Sequence, residues 1–162
     1  MKTYNILFLC THNSARSILG EALASTQTKG KFMGYSAGSA PGAAIHPLAR
    51  ELALGMGYPE EKLRSKSWDE FALPQAPHMD FIITVCDDVA GEECPVWLGK
   101  PVTAHWGFTD PTKVQGTDDE KKKAFMEVMN GLHKRIQLLA DLPFETLDRM
   151  SLQARVRTLS KG

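Results

Sequence analysis

Hydrophobic patterning along the chain predicts an α/β fold, a single three-layer domain in which a four-stranded parallel sheet carries helices on both faces. Three observations carry this expectation. Ile6 to Cys10 is a short continuous apolar run and Phe81 to Val85 a dense β-branched one, as in strands that a parallel sheet buries on both faces. The segments between strands repeat apolar residues three and four positions apart, the helical period. Strand and helix patterns also alternate along the chain, which gives crossover connections and not hairpins.

The elements follow in order. A first strand over about 5–10 ends in a polar loop, and a helix follows with Ile18, Leu19, Ala22 and Leu23 on one face. Phe32 to Ala37, closed by Gly38, reads as the second strand. His46 to Met56 spaces Leu48, Leu52 and Met56 four apart and stops at Gly57, a helix terminator. Phe81 to Val85 is the third strand, ending at Cys86, and Pro101 to His105 the fourth. Thr117 and Glu120 form a capping box, with Asp118 and Asp119 at the positive end of the helix. Phe125, Val128, Met129, Leu132, Ile136 and Leu139 then make one long stripe. The expected division is a catalytic domain over 1–141 and a helical or partly disordered tail over 142–162, with Leu147, Met150, Ala154 and Leu159 as its apolar positions.

Composition narrows the function. Of 162 residues, 43% are hydrophobic and 23% charged, the balance of a folded protein and not of a disordered chain. Nineteen basic against nineteen acidic side chains give zero net charge, so no global field draws the chain to nucleic acid or an anionic membrane. The apolar run at the amino terminus ends at Thr11, His12 and Asn13, short of a signal peptide, and no segment has the length of a membrane span. Three cysteines are too few for a secreted disulfide scaffold, so the expected compartment is the reducing cytoplasm, and the chain is expected to be a soluble monomer.

The chemistry concentrates at Cys10-Thr11-His12-Asn13-Ser14-Ala15-Arg16-Ser17, between a buried strand and a helix start. A loop this short must curl, turning the N–H groups of residues 11–16 inward as a nest for a tetrahedral oxyanion. Arg16 adds a planar fork that holds two oxyanion oxygens. Thr11, His12, Asn13, Ser14, Ala15, Arg16 and Ser17 are thus the expected oxyanion-binding residues. The same field is expected to lower the Cys10 pKa, with the Ser17 hydroxyl donating to the sulfur, making Cys10 the nucleophile. A buried cysteine and a chance arginine are the plainer alternative. Asp110-Pro111 offers a carboxylic acid that can protonate a departing oxygen, with an ordinary Asp-Pro turn as its alternative.

The eight-residue loop resembles the active-site signature of thioredoxin-coupled arsenate reductases, which share the fold of low-molecular-weight protein tyrosine phosphatases. The resemblance extends over about residues 4–140 through Ser36-Ala37-Gly38, Val85-Cys86, Glu93-Cys94-Pro95 and His105-Trp106-Gly107-Phe108 before Asp110-Pro111. It implies arsenate reduction to arsenite in arsenic detoxification, through a Cys10-arsenic adduct. Cys86 would then attack the adduct and Cys94 resolve the resulting disulfide. Asp87, Asp88, Gly91, Glu92 and Glu93 would let the intervening loop move. The resemblance implies no tightly bound cofactor, and an external thiol donor, thioredoxin or glutaredoxin with glutathione, as partner. The Cys86 to Cys94 spacing is one residue longer than in the best-known members, which leaves the relay order open. Two unrelated free thiols are the alternative, and a zinc site with His12 or His105 a weaker one.

Asn13, Glu21 and Ser36 resemble positions that bind potassium in some members. The segment Ser65-Lys66-Ser67-Trp68-Asp69 lacks the expected acidic partner, so the metal stays unknown, with Asn13 expected to stabilise the loop and Glu21 to sit on the helix surface or bind a loop hydroxyl. His46, His78 and His133 read as caps or solvated side chains. The alternative function is a low-molecular-weight protein tyrosine phosphatase, with Trp106 and Phe108 as aromatic walls, and a non-enzymatic oxyanion-binding module comes third.

Overall fold

The computed structural model describes residues 3–42, 44–86, 101–144 and 149–159. The elements run β1 (Tyr4–Cys10), α1 (Arg16–Thr26), β2 (Phe32–Gly38), α2 (Pro47–Gly55), β3 (Phe81–Thr84), β4 (Val102–His105), α3 (Asp118–Ala140) and α4 (Arg149–Thr158). The four strands form one parallel sheet in the order β2-β1-β3-β4. This is the predicted α/β architecture, with four helices among the described residues.

Successive strand residues point to opposite faces, and Ile6 through Cys10 are all buried, so both faces of β1 are covered. On one of them Gly20 of α1 lies against Phe8 so closely that a Cβ there would approach the ring to 2.6 Å. Eight consecutive residues of α1, Ser17 to Ala24, are buried, more than the single apolar face that the sequence suggests. Tyr4, Phe32 and Phe81 open three adjacent strands and meet Phe144 in a cluster of tilted and edge-to-face rings, centroids 4.9 to 6.4 Å apart. The aromatic weight thus sits at the amino ends of the strands and leaves the carboxyl ends to the loops.

β3 ends at Thr84, earlier than the expected Val85, although the Val85 N–H still donates to Leu9 O at 2.9 Å. The capping box at Thr117 and Glu120 forms as expected, and Phe125, Val128, Leu132, Ile136 and Leu139 are the buried stripe of α3. The tail differs in detail. α4 buries Leu152 and Val156, while Met150, expected in the apolar set, is 84% exposed. The buried Trp106 donates from Nε1 to Val156 O at 3.1 Å, and Arg135 Nε donates to Leu159 O at 3.1 Å. Phe144, Leu152 and Val156 share the core of the sheet, so these described residues after 141 pack into the same core. Among the described residues, no helix is long and apolar enough to cross a membrane.

Candidate active site

β1 turns to β2 on one side and pairs with β3 on the other, so the strand order reverses beside it. Parallel sheets bind ligands at the carboxyl ends of strands at such a switch point. Cys10 ends β1 there, and Cys86 follows β3 by two residues. Both are buried free cysteines.

The loop after Cys10 is tied outward by its carbonyls. Thr11 O accepts from Ala40 N at 2.9 Å, His12 O from Gly42 N at 3.0 Å and from Ser65 Oγ at 2.9 Å, and Ser14 O from His46 N at 3.0 Å. In a trans peptide the next N–H points away from the carbonyl, so the amides of His12, Asn13 and Ala15 turn to the concave side. Asn13 sits at φ 51°, a left-handed conformation that asparagine tolerates and that lets so short a loop close. Its fully buried side chain donates from Nδ2 to Ser17 Oγ at 2.7 Å and accepts at Oδ1 from Lys66 N at 2.8 Å. Asn13 therefore stabilises the loop, as expected. α1 begins at Arg16 with no capping side chain and no acidic residue in its first turn, so no side chain of its own offsets the positive end of its dipole.

Two expectations about Cys10 need correction. The Ser17 hydroxyl accepts from Asn13 and braces the loop; the group hydrogen-bonded to Cys10 is the Cys86 thiol. That hydrogen bond and burial push the Cys10 thiol above its ordinary range, against the lowering pull of Arg16 and the Thr11 N–H. The first loop amide, Thr11 N–H, donates to Cys86 Sγ at 3.2 Å. The positive end of the loop thus serves two sulfurs that share it, and not Cys10 alone.

Arg16 Nη1 donates to Phe108 O at 2.9 Å, and Arg16 Nη2 lies 3.4 Å from Asp110 Oδ2, both side chains mostly buried. Asp110 also accepts at Oδ1 from Thr112 N at 2.9 Å and Thr112 Oγ1 at 2.6 Å, so it caps the turn at Pro111 and faces the arginine at once. Burial pushes its carboxyl up, but Thr112, Arg16 and Lys113 outweigh that and hold it below the usual carboxylate range. Cys10, Arg16, Cys86 and Asp110 converge on one site. Cys94, with Asp87, Asp88, Gly91, Glu92 and Glu93, lies outside the described residues.

Other expectations fared differently. Trp106 is fully buried, its indole turned to α4, so it cannot be a wall of the site. Phe108 is half-buried beneath the Arg135 guanidinium, 4.5 Å from the ring centroid. His46 caps α2 by accepting from Leu48 N, as expected of a cap. His12 bonds Ala40 O and His105 bonds Thr84 Oγ1, and no group of three metal-ligating residues gathers among the described residues. Of the two expectations for Glu21, the helix surface fails and a loop hydroxyl, that of Tyr58, binds it. Glu21 is 3% exposed and accepts from Ser36 Oγ, Tyr58 OH and Lys66 Nζ. Tyr58 and Lys66 were not singled out from the sequence, because their partners are 37 and 45 residues away in the chain.

A buried cysteine at the carboxyl end of β1, with a second cysteine, an arginine and a carboxylate gathered at the loop that follows it, marks the candidate site of a phosphatase-type fold. Comparison with known proteins gives the family. The profile of the low molecular weight phosphotyrosine protein phosphatases matches residues 5–153, and the chain belongs to that family. An arsenate reductase from Halalkalibacterium halodurans is 34% identical over 137 residues, 84% of this chain and 94% of the relative. The arsenate reductase structure from Archaeoglobus fulgidus superposes with a TM-score of 0.64 at 24% identity, covering 85% of this chain and 99% of that one. The thioredoxin-dependent arsenate reductase of Corynebacterium glutamicum gives a TM-score of 0.53 at 26% identity, covering 84% of this chain and 63% of that one.

Proposed function

We propose that the chain reduces arsenate to arsenite in arsenic detoxification, with Cys10, Cys86 and Cys94 as a thiol relay. The observation that carries the reading is a second buried free thiol at the same loop as Cys10, since Cys86 Sγ accepts from Thr11 N–H, the amide next to Cys10, at 3.2 Å. A phosphatase has work for one sulfur there; a two-electron reduction has work for both.

Arsenate enters the nest and draws Arg16 onto its oxygens. The Cys10 sulfur attacks arsenic, and an oxygen leaves as water carrying the thiol proton. Asp110, ionised at rest beside Arg16, relays that proton and is the acid of the step. Cys86 then attacks Cys10 Sγ. The sulfur-arsenic electron pair stays on arsenic, which falls from the pentavalent to the trivalent state and departs as arsenite, the Cys86 proton ending on an arsenite oxygen. Two thiols have become the Cys10-Cys86 disulfide. Cys94 attacks that disulfide at Cys86 and frees Cys10, and an external dithiol reduces the Cys86-Cys94 pair. Thioredoxin is the proposed donor, since one structural relative depends on it, with glutaredoxin and glutathione as the alternative. The enzyme so read is a cytoplasmic monomer with no tightly bound cofactor. The burial of Trp106 removes one of the two aromatic walls that the phosphatase alternative needs.

Arsenate-dependent NADPH consumption, with thioredoxin and thioredoxin reductase or with glutaredoxin and glutathione supplied separately, tests the reading. Turnover with the thioredoxin system, lost in Cys86→Ser, is expected. Equal turnover of Cys86→Ser and wild type would contradict it, and hydrolysis of aryl phosphates without arsenate reduction would favour the phosphatase.

A further inference from the structure

The positions that resemble a potassium site hold an ammonium group of the chain itself. Lys66 Nζ lies 3.4 Å from Glu21 Oε1, 3.4 Å from Ser36 Oγ and 2.7 Å from Arg64 O. Lys66 is 6% exposed and Glu21 3%, so each is the charge partner of the other in a place where neither can rely on water. Tyr58 OH and Ser36 Oγ also donate to Glu21. A potassium ion among Glu21, Ser36 and Asn13 would stand within a few ångströms of that ammonium, and Glu21 supplies only one negative charge to balance both. The residues therefore do not fit a bound alkali cation.

The same lysine reaches the oxyanion loop through its backbone. Its N–H donates to Asn13 Oδ1 at 2.8 Å, and its carbonyl accepts from Gly38 N at 2.8 Å. Its neighbour Ser65 donates to His12 O at 2.9 Å. Pinning the ammonium to Glu21 of α1 thus fixes segment 64–66, which holds His12 and Asn13 in the conformation that turns the loop amides inward.

We propose that Lys66 is a positioning residue, a tethered cation that takes the place of an alkali metal beneath the oxyanion loop and makes loop order independent of potassium. A cavity of about 450 Å³, lined in part by Tyr35, Tyr58, Arg64 and Phe71, reaches Glu21 and Lys66. It gives a dissolved cation a route to Glu21 once the ammonium is gone. The inference rests on the loop as an oxyanion cradle, so its readouts are phosphate binding and melting temperature, which survive a failure of the arsenate reading.

The experiment measures melting temperature and inorganic phosphate affinity in potassium chloride and in choline chloride at equal ionic strength. The wild type is expected to give the same values in both salts. Lys66→Met, close in length and uncharged, is expected to bind phosphate about ten- to a hundredfold more weakly in choline through loop misplacement. Potassium should restore a large part of that binding and raise its melting temperature. Glu21→Gln with Lys66→Met removes both charges and is expected to fold with no preference between the salts, which keeps the test decisive if the single variant fails to fold. Potassium stimulation of wild-type phosphate binding, or a salt-insensitive Lys66→Met that binds like wild type, would overturn the proposal. So would a double variant that still requires potassium.

Discussion

Replacing Gly38 with alanine probes how the sheet holds the oxyanion loop. A Cβ at Gly38 would lie 2.5 Å from Thr11 O and 3.0 Å from Asn13 N, both backbone atoms of the loop. Since Cβ contacts essentially never fall under 3.0 Å, the loop must recede by at least about 0.5 Å, the difference from 2.5 Å. Thr11 O is also held by Ala40 N at 2.9 Å, so the carbonyl cannot turn aside without breaking that bond. A misplacement of about 1 Å near reacting groups costs on the order of a hundredfold in rate, so half of that predicts roughly a tenfold loss in adduct formation. Overpacking adds about 1–3 kcal/mol of destabilisation, a fall in melting temperature of roughly 2–12 °C for a domain of this size. Rapid-quench measurement of the first turnover, with thermal melting of the same samples, reads both effects. A Gly38→Ala protein with wild-type first-turnover rate and melting temperature would refute the argument that this close approach shapes the loop.

Cys10→Ser is expected to abolish arsenate turnover without loss of fold, because a hydroxyl is a far poorer nucleophile; unchanged turnover in the coupled assay would remove Cys10 from that role. Arg16→Lys keeps the charge but loses the fork, and kcat/KM should drop by about a hundredfold in the same assay. Asp110→Asn should slow the first turnover more than it weakens phosphate binding measured by calorimetry. It also has a pH signature. The folded carboxyl is held below its ordinary value, so its contribution to stability is present above that value and is lost as pH falls through the folded pKa. The melting-temperature gap between wild type and Asp110→Asn should therefore stay constant near neutral pH and narrow below about pH 4. Trp106→Phe leaves Val156 O without its buried donor and should cost about 1–3 kcal/mol by denaturant unfolding, which would show the tail helix to be part of the cooperative core.

Much of the fold was legible because the strongest signals are local. The continuous apolar run of β1, the capping box of α3 and the Gly57 stop are each contained within one short window, and each formed. The loop Cys10 to Ser17 was legible as a strand-to-helix turn for the same reason, because both elements that flank it are local. What escaped the sequence depends on contacts that no window contains. Val156 is buried because it packs under β4 and accepts from Trp106, so the tail's true apolar face passes through Leu152 and Val156 and not Met150. For Glu21 the alternative of a loop hydroxyl holds, through Tyr58, while its burial and its ammonium partner escaped because Lys66 lies on a distant loop. The Cys10 pKa was expected to fall because the loop field was counted without Cys86, whose thiol the β1-β3 pairing brings against it.

Thiol mapping by mass spectrometry after one equivalent of arsenate tests the central claim most directly, because it reads each sulfur of the relay in turn. Wild-type protein, reduced beforehand and freed of external thiol, should release one arsenite and carry a Cys86-Cys94 disulfide with Cys10 free. Cys94→Ser should release the same arsenite and stop at Cys10-Cys86. Arsenite release with all three cysteines still reduced, or a first disulfide that leaves out Cys86 in both proteins, would contradict the account.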